Sequence, residues 1–237
     1  MSIAPFVYLL LNLGSLAFPL ARSFEPRVHY VGYWRFLFPA LVLTGAFFIA
    51  MDIWFTALGI WAFNPEYLLG ITIVNLPLEE WMFFAVIPFA CVFIYACVEY
   101  FFQENIWRKA AYPVGISLSL FLLVVAAFNT GKTYTFWKLG LAGLAILVHL
   151  YMFRNKHFGK FLVAWLFSLI PFFLVNGALT YLPVVTYNDA ENLGIRYADL
   201  TGIAFLNIPI EDTFYGFLLL LMNVSIMEYL KEKKQRM

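Results

Sequence analysis

The sequence predicts an all-α polytopic membrane protein of seven transmembrane helices, built as two parallel three-helix repeats joined by one helix. Three observations predict it. Of 237 residues, 63% are hydrophobic and only 12% are charged, whereas soluble domains average about 45–50% apolar and about 25% charged. The apolar residues fall into seven runs of roughly the 17–25 residues that a helix needs to cross a bilayer core. An acidic hexapeptide occurs twice, each time where such a run begins. This composition excludes a disordered chain, a nucleic-acid binder and an ordinary cytosolic α/β enzyme. The net charge of +1 implies no acidic or basic partner.

The first span is residues 4–21; no basic region precedes it, so it reads as a retained helix and not a signal peptide. The second, 34–55, carries Pro39 and one deep acid, Asp52. The third, 78–102, carries Pro88 and both cysteines, Cys91 and Cys97. Six residues apart on a helix, these two lie on different faces, so they are not expected to form a disulfide. The fourth is 111–128, the fifth 136–153, the sixth 161–183 with Pro171, and the seventh 207–230. Prolines within spans are tolerated where neighbouring helices resolve the freed backbone groups.

Twelve of the 15 Lys and Arg fall on one side of this topology, and Lys132, Lys138 and Arg196 on the other. The basic side is expected to be cytoplasmic. That predicts a multi-pass protein of the cell inner membrane, with its N-terminus outside, its C-terminus inside, and the loops 64–77 and 184–206 facing outward.

The strongest signal is the duplication. Asn75-Leu76-Pro77-Leu78-Glu79-Glu80 recurs as Asn207-Ile208-Pro209-Ile210-Glu211-Asp212, at an offset of 132. Gly70-Ile71 matches Gly202-Ile203 at the same offset. Asp52 and Thr56 match Asn176 and Thr180 at offset 124, so an insertion of eight residues intervenes. Glu99-Tyr100 resembles Glu228-Tyr229 at the far ends of the same two helices. The halves are therefore 1–105 and 134–237, with residues 106–133 as the joining helix. Spans three and seven cross in the same direction, which puts both motifs at one membrane depth, related by an axis along the membrane normal.

Asn and Glu at i and i+4 share a helix face, so Asn75 with Glu79, and Asn207 with Glu211, are expected to point together into a cavity. Glu80 and Asp212 are rotated by about 100°; they line a second wall or face the neighbouring helix. Acids in a first turn also complement the helix dipole, which is the plain structural explanation of any one of them. Four acids, duplicated inside apolar sequence with no nearby Lys or Arg as partner, favour function, since ionisable groups within a membrane are expensive. Two neighbouring anions are costly in low dielectric, so the set is expected to supply a proton donor and a proton acceptor in one dry cavity. Asp52 either joins the site or hydrogen-bonds to Thr or Asn on another helix. Glu99 and Glu228 read as interfacial anchors.

His29, His149 and His157 are scattered, and no metal site is expected. No dinucleotide, P-loop or nucleophile-elbow motif is present. Aromatics such as Trp54, Trp61, Trp81, Phe84 and Tyr215 cluster near the acidic side. Some form an interfacial belt. The rest suit the wall of a site for an apolar substrate, where ring faces stabilise a carbocation.

The duplicated N-x-P-x-E-[ED] motif, with three spans in each half and one joining helix, resembles the lycopene cyclases of the two-subunit type, in their fused single-chain bacterial form. The resemblance covers essentially the whole chain. It implies redox-neutral closure of the acyclic ψ ends of lycopene to β-ionone rings, by way of γ-carotene to β-carotene, with no cofactor. The implied catalytic residues are Glu79, Glu80, Glu211 and Asp212, with Glu79 or Glu211 expected to donate the proton and another of the four to accept it. Asn75 and Asn207 would orient them, with Asp52, Trp81, Phe84 and Tyr215 about the substrate. The implied partners are lycopene or a related acyclic carotenoid, the lipid bilayer and other carotenoid enzymes. Competing readings are an ion or solute carrier, a magnesium-dependent intramembrane prenyltransferase and a non-catalytic carotenoid-binding protein. A microbial rhodopsin is excluded, because the last span lacks the lysine that retinal requires.

Overall fold

A computed structural model describes residues 3–102, 108–154 and 156–236. In chain order the elements are α1 (Val7–Arg22), α2 (Trp34–Ala57), β1 (Trp61–Phe63), β2 (Thr72–Ile73), β3 (Leu76–Pro77), α3 (Leu78–Phe101), α4 (Arg108–Phe128), α5 (Thr133–Phe153), α6 (Phe158–Tyr181), β4 (Val185–Tyr187), the short α7 (Tyr197–Thr201) and α8 (Ile210–Gln235). Seven of these helices, all but α7, are long and apolar enough to cross a membrane. The bilayer core offers no hydrogen-bond partners, so backbone groups left unpaired there would cost several kcal/mol each; long apolar runs therefore become helices. The boundary expected at residue 105 lies outside the described residues.

Hydropathy misplaces several helix ends. Helix α5 begins at Thr133 rather than Phe136, and so takes in Tyr134 and Thr135. Helix α8 begins at Ile210 and continues to Gln235 through a charged last turn. Cys91 and Cys97 are both free.

Helix α1 packs on α3 in the first half as α5 packs on α8 in the second. The halves interlock through α2 against α8 and α6 against α3, while α4 lies along α5 and α6. The core runs between them. Phe217 of α8 sits edge-on to Phe161 and Trp165 of α6, at 4.9 and 5.2 Å. The Tyr30 hydroxyl, buried before α2, donates to the Phe89 carbonyl of α3 at 2.7 Å.

The repeat is visible as geometry. Strands β1 and β4 pair antiparallel with Ala62 opposite Thr186. These are equivalent residues of the two halves, so a pseudo-two-fold axis passes between them. The turns that lead into α3 and α8 are built alike. The Leu78 amide donates to the Ile71 carbonyl at 2.8 Å, and the Ile210 amide to the Ile195 carbonyl at 3.2 Å. Thr72 pairs with Pro77, as Arg196 pairs with Pro209. Gly70 and Gly194 both take positive φ, at 81° and 72°, which a side chain would resist. The equivalent of Leu69-Gly70-Ile71 is therefore Leu193-Gly194-Ile195, not the segment around Gly202-Ile203. The eight additional residues lie between Arg196 and Asn207, a stretch that contains the five-residue α7.

At the end opposite the acidic motifs, Glu99 and Glu228 are more than interfacial anchors. Lys231 bridges them, at 3.2 Å from Glu99 and 2.6 Å from Glu228. Tyr33 donates to Glu99 at 3.1 Å, and His157 lies 3.7 Å from Glu228. This cluster ties α3, α8 and the start of α6 together.

Candidate active site

Helices α3 and α8 each begin directly after a proline in extended conformation, Pro77 and Pro209. The two acids of each motif thus fall in the first turn, on adjacent faces. Their neighbours separate their roles. Glu79 Oε1 accepts the backbone amide of Leu69 at 2.7 Å. Glu211 Oε1 accepts the equivalent amide of Leu193 at 2.7 Å and the Thr135 hydroxyl at 2.7 Å. Both carboxyls are fully buried and turn back onto the loop that precedes their own helix.

Asn75 does not accompany Glu79, and Asn207 is held through its backbone. The Asn75 side chain donates to the Ile53 carbonyl at 2.8 Å, and the Asn207 backbone carbonyl accepts from Arg196 at 3.1 Å. The i, i+4 argument fails for Asn75 because it precedes the helix, where face periodicity does not apply.

Glu80 and Asp212 instead line a cavity of about 580 Å³, enclosed mainly by α1, α3, α6 and α8. Each receives a tyrosine hydroxyl at 2.5 Å, Tyr8 to Glu80 and Tyr134 to Asp212. Tyr8 and Tyr134 are repeat partners at offset 126. Each acid also meets the equivalent residue of its half's second helix. Asp212 accepts Asn176 at 2.9 Å, while Glu80 lies within hydrogen-bonding reach of Asp52.

Beyond this shared plan the environments differ. Asp212 accepts a third donor, the Tyr187 hydroxyl, at 2.7 Å. Burial, reinforced by the Asp212 carboxylate, holds that hydroxyl well above the ordinary phenol range, so Tyr187 stays a donor. Three neutral donors on one carboxylate favour its anionic form. Asp52 is fully buried and receives support from the other half of the chain. Tyr215 lies 3.2 Å from both its oxygens, and the Lys138 ammonium lies 3.9 Å away. Lys138 is itself fully buried, over the Tyr215 ring at 3.5 Å and near Phe55 and Trp61 at 4.8 and 5.2 Å. The acidic site therefore has a buried lysine beside it, contrary to the expectation that no cation was near. Lys138 belongs to α5, 58 residues from Glu80 in the chain, and only the packing of α5 and α2 on α8 joins them.

Of the aromatic residues expected at the substrate, Tyr215 lines the cavity. Phe84 packs behind Tyr215, with ring centroids 6.4 Å apart. Trp81 turns away and donates to the Ile73 carbonyl at 3.4 Å. Sequence reasoning missed Tyr8, Tyr134, Tyr187 and Lys138. A signal for three of them exists: Tyr8-x-x-x-Asn12-Leu13-Gly14 parallels Tyr134-x-x-x-Lys138-Leu139-Gly140, so extending the repeat into the first helix of each half pairs both Tyr8 with Tyr134 and Asn12 with Lys138.

A family described as lycopene cyclase matches residues 5–98 and again 131–230, one segment in each half. No curated protein and no solved structure matches the chain significantly.

Proposed function

The chain belongs to the lycopene cyclase family, and on that premise we propose that it closes the ψ ends of lycopene to β-ionone rings within the membrane. Acid initiates the reaction. Glu80, paired with Asp52, gives a proton to the terminal double bond. The resulting cation is attacked by the next alkene, which closes the six-membered ring and moves the positive charge onto a ring carbon. Asp212 removes the neighbouring proton and the double bond re-forms. One proton enters and one leaves, no electrons are exchanged, and substrate and product are isomers.

The observation that carries this reading is the cavity itself: equivalent acids of the two halves face one apolar space from unequal surroundings. Two carboxyls facing each other, Glu80 and Asp52, are joined most cheaply by a proton between them, which suits a donor. A carboxylate that accepts three neutral donors suits an acceptor. The rings of Tyr134, Tyr187, Tyr215 and Trp61 line the same cavity and suit a passing cation. Glu79 and Glu211 act in this reading as positioning residues that fix the turns before α3 and α8. The basic end faces the cytoplasm, following the bias of Lys and Arg.

The test is expression in a lycopene-accumulating bacterium with chromatography of the pigments. The wild-type chain is expected to convert lycopene through a monocyclic to a bicyclic product. Full conversion by a Glu80→Gln, Asp212→Asn double variant would sink the assignment of these acids.

A further inference from the structure

The pseudo-two-fold axis makes two equivalent seams between the halves, α1 against α6 and α2 against α5. They are filled differently. The α2/α5 seam is packed: Phe47, Met51, Phe55 and Leu141 join one cluster with Trp61 and Tyr134, and Lys138 lies among their rings. At the equivalent positions of the α1/α6 seam, Leu141 is replaced by Ser15 and Phe47 by Pro171. Here the helices meet at the acidic end, through Tyr8, Leu179 and Val175. Below that contact they part, and the cavity occupies the gap, bordered by Gly14, Ser15 and Phe18 on one side and Pro171 and Leu174 on the other. Phe18 and Leu174 are 65% and 62% exposed, so the border faces outward. Gly14 sharpens the contrast. A Cβ at its repeat partner Gly140 would meet Ala126 of α4 at 3.7 Å, whereas a Cβ at Gly14 would meet nothing within 4 Å.

We propose that the α1/α6 seam is a lateral port through which a linear polyene enters from the bilayer, one end at a time, its other half remaining in lipid. This rests on the cyclase reading. The dimensions carry it further. The cavity runs along α3 from Glu80 to Ile94, about 21 Å at 1.5 Å per residue. An extended forty-carbon polyene is longer, so with one ψ end at Glu80 the chain must leave the protein, and the unfilled seam is where the wall opens to lipid. The opposite end must then enter in a second binding event, and the monocyclic product is released between the two.

The experiment places a large side chain in the port. Gly14→Trp is compared with Leu13→Trp, a position half-exposed on the same helix but off the cavity wall. In lycopene-accumulating cells at matched protein levels, Gly14→Trp is expected to lower conversion at least tenfold and Leu13→Trp less than twofold. Unchanged conversion by Gly14→Trp, or equal loss in both, would overturn the port. A second measurement does not depend on turnover: the Gly14→Cys variant is labelled with an apolar maleimide, over the background of the parent protein, with and without lycopene. Protection by lycopene in Gly14→Cys, with none in Leu13→Cys, supports the port; equal labelling of Gly14→Cys with and without lycopene, or equal protection in both variants, overturns it. The wild-type control separates the two ideas, because a wild-type chain that leaves lycopene unchanged defeats the cyclase reading itself, whatever the variants do.

Discussion

The two halves of the chain carry the same scaffold and different charges. Each places an acid on the cavity wall, gives it a tyrosine from the half's first helix and a polar partner from its second, and uses the preceding glutamate to hold a turn. Four substitutions between equivalent positions then separate them. Asp52 stands against Asn176, Lys138 against Asn12, Tyr215 against Phe83, and Tyr187 against Phe63. The first three belong together. Asp52 is a buried carboxyl, and Lys138 and Tyr215 reach it from the other half of the chain. Asn176 is a neutral amide, and the positions that would face it, Asn12 and Phe83, hold no charge. An internal duplication thus serves as its own control: where a charge was placed, its counter-charge and hydrogen-bond donor were placed with it, from the other half of the chain. Leaving a buried charge without its partner is what the fold avoids, since removing one member of a buried pair costs about 3–5 kcal/mol.

The comparison breaks most sharply at the wall acids. Glu80→Gln and Asp212→Asn each keep size and lose the ionisable group. General acid–base catalysis contributes about 10²–10⁴-fold, so each alone is expected to lower lycopene conversion by at least about a hundredfold, measured by pigment chromatography at matched protein level. If only one of them matters, the reading of donor and acceptor in opposite halves fails.

Next comes the charge set. Lys138→Asn alone orphans Asp52 and is expected to destabilise the folded protein by about 3–5 kcal/mol, read as a lowered thermal midpoint in detergent. Asp52→Asn with Lys138→Asn writes the neutral set of the second half into the first. The double variant is expected to recover most of that stability and to remain impaired in cyclisation. Recovery of activity with stability would mean that Asp52 serves only the fold.

Glu79 and Glu211 sharpen the distinction between wall and turn. Their Gln variants keep an oxygen for the Leu69 and Leu193 amides and should cost less than about tenfold in conversion. Ala variants leave a buried amide unpaired, at about 1–3 kcal/mol each, with Glu211→Ala the worse because Thr135 also loses its acceptor. The smallest effect belongs to Tyr187→Phe, which restores the residue of the first half. It removes one of three donors to Asp212 while the Tyr134 and Asn176 bonds remain, a loss of about 0.5 kcal/mol, or roughly twofold in the same pigment assay.

Much of this was legible in the sequence. Hydropathy marks seven spans because lipid leaves the backbone no alternative to helix. The acidic hexapeptide marks the repeat and the depth of the site. Its second acid, not its first, reaches the cavity, because the proline before each helix and the returning loop amide together set which face of the first turn points inward. Hydropathy counted Thr133, Tyr134 and Thr135 outside the fifth span for the same reason that they matter: they are polar where the helix meets the acids.

The sequence by itself determined the class of the protein, its span count, its duplication and the acids available, since these follow from composition, run length and self-similarity along one chain. Tertiary structure alone decided which acids share a cavity, that Lys138 of α5 stands beside Asp52 of α2, and that one of two equivalent seams is open. Those are facts about neighbours from distant parts of the chain, and a pseudo-symmetric scaffold leaves them to the side chains that happen to meet across its axis.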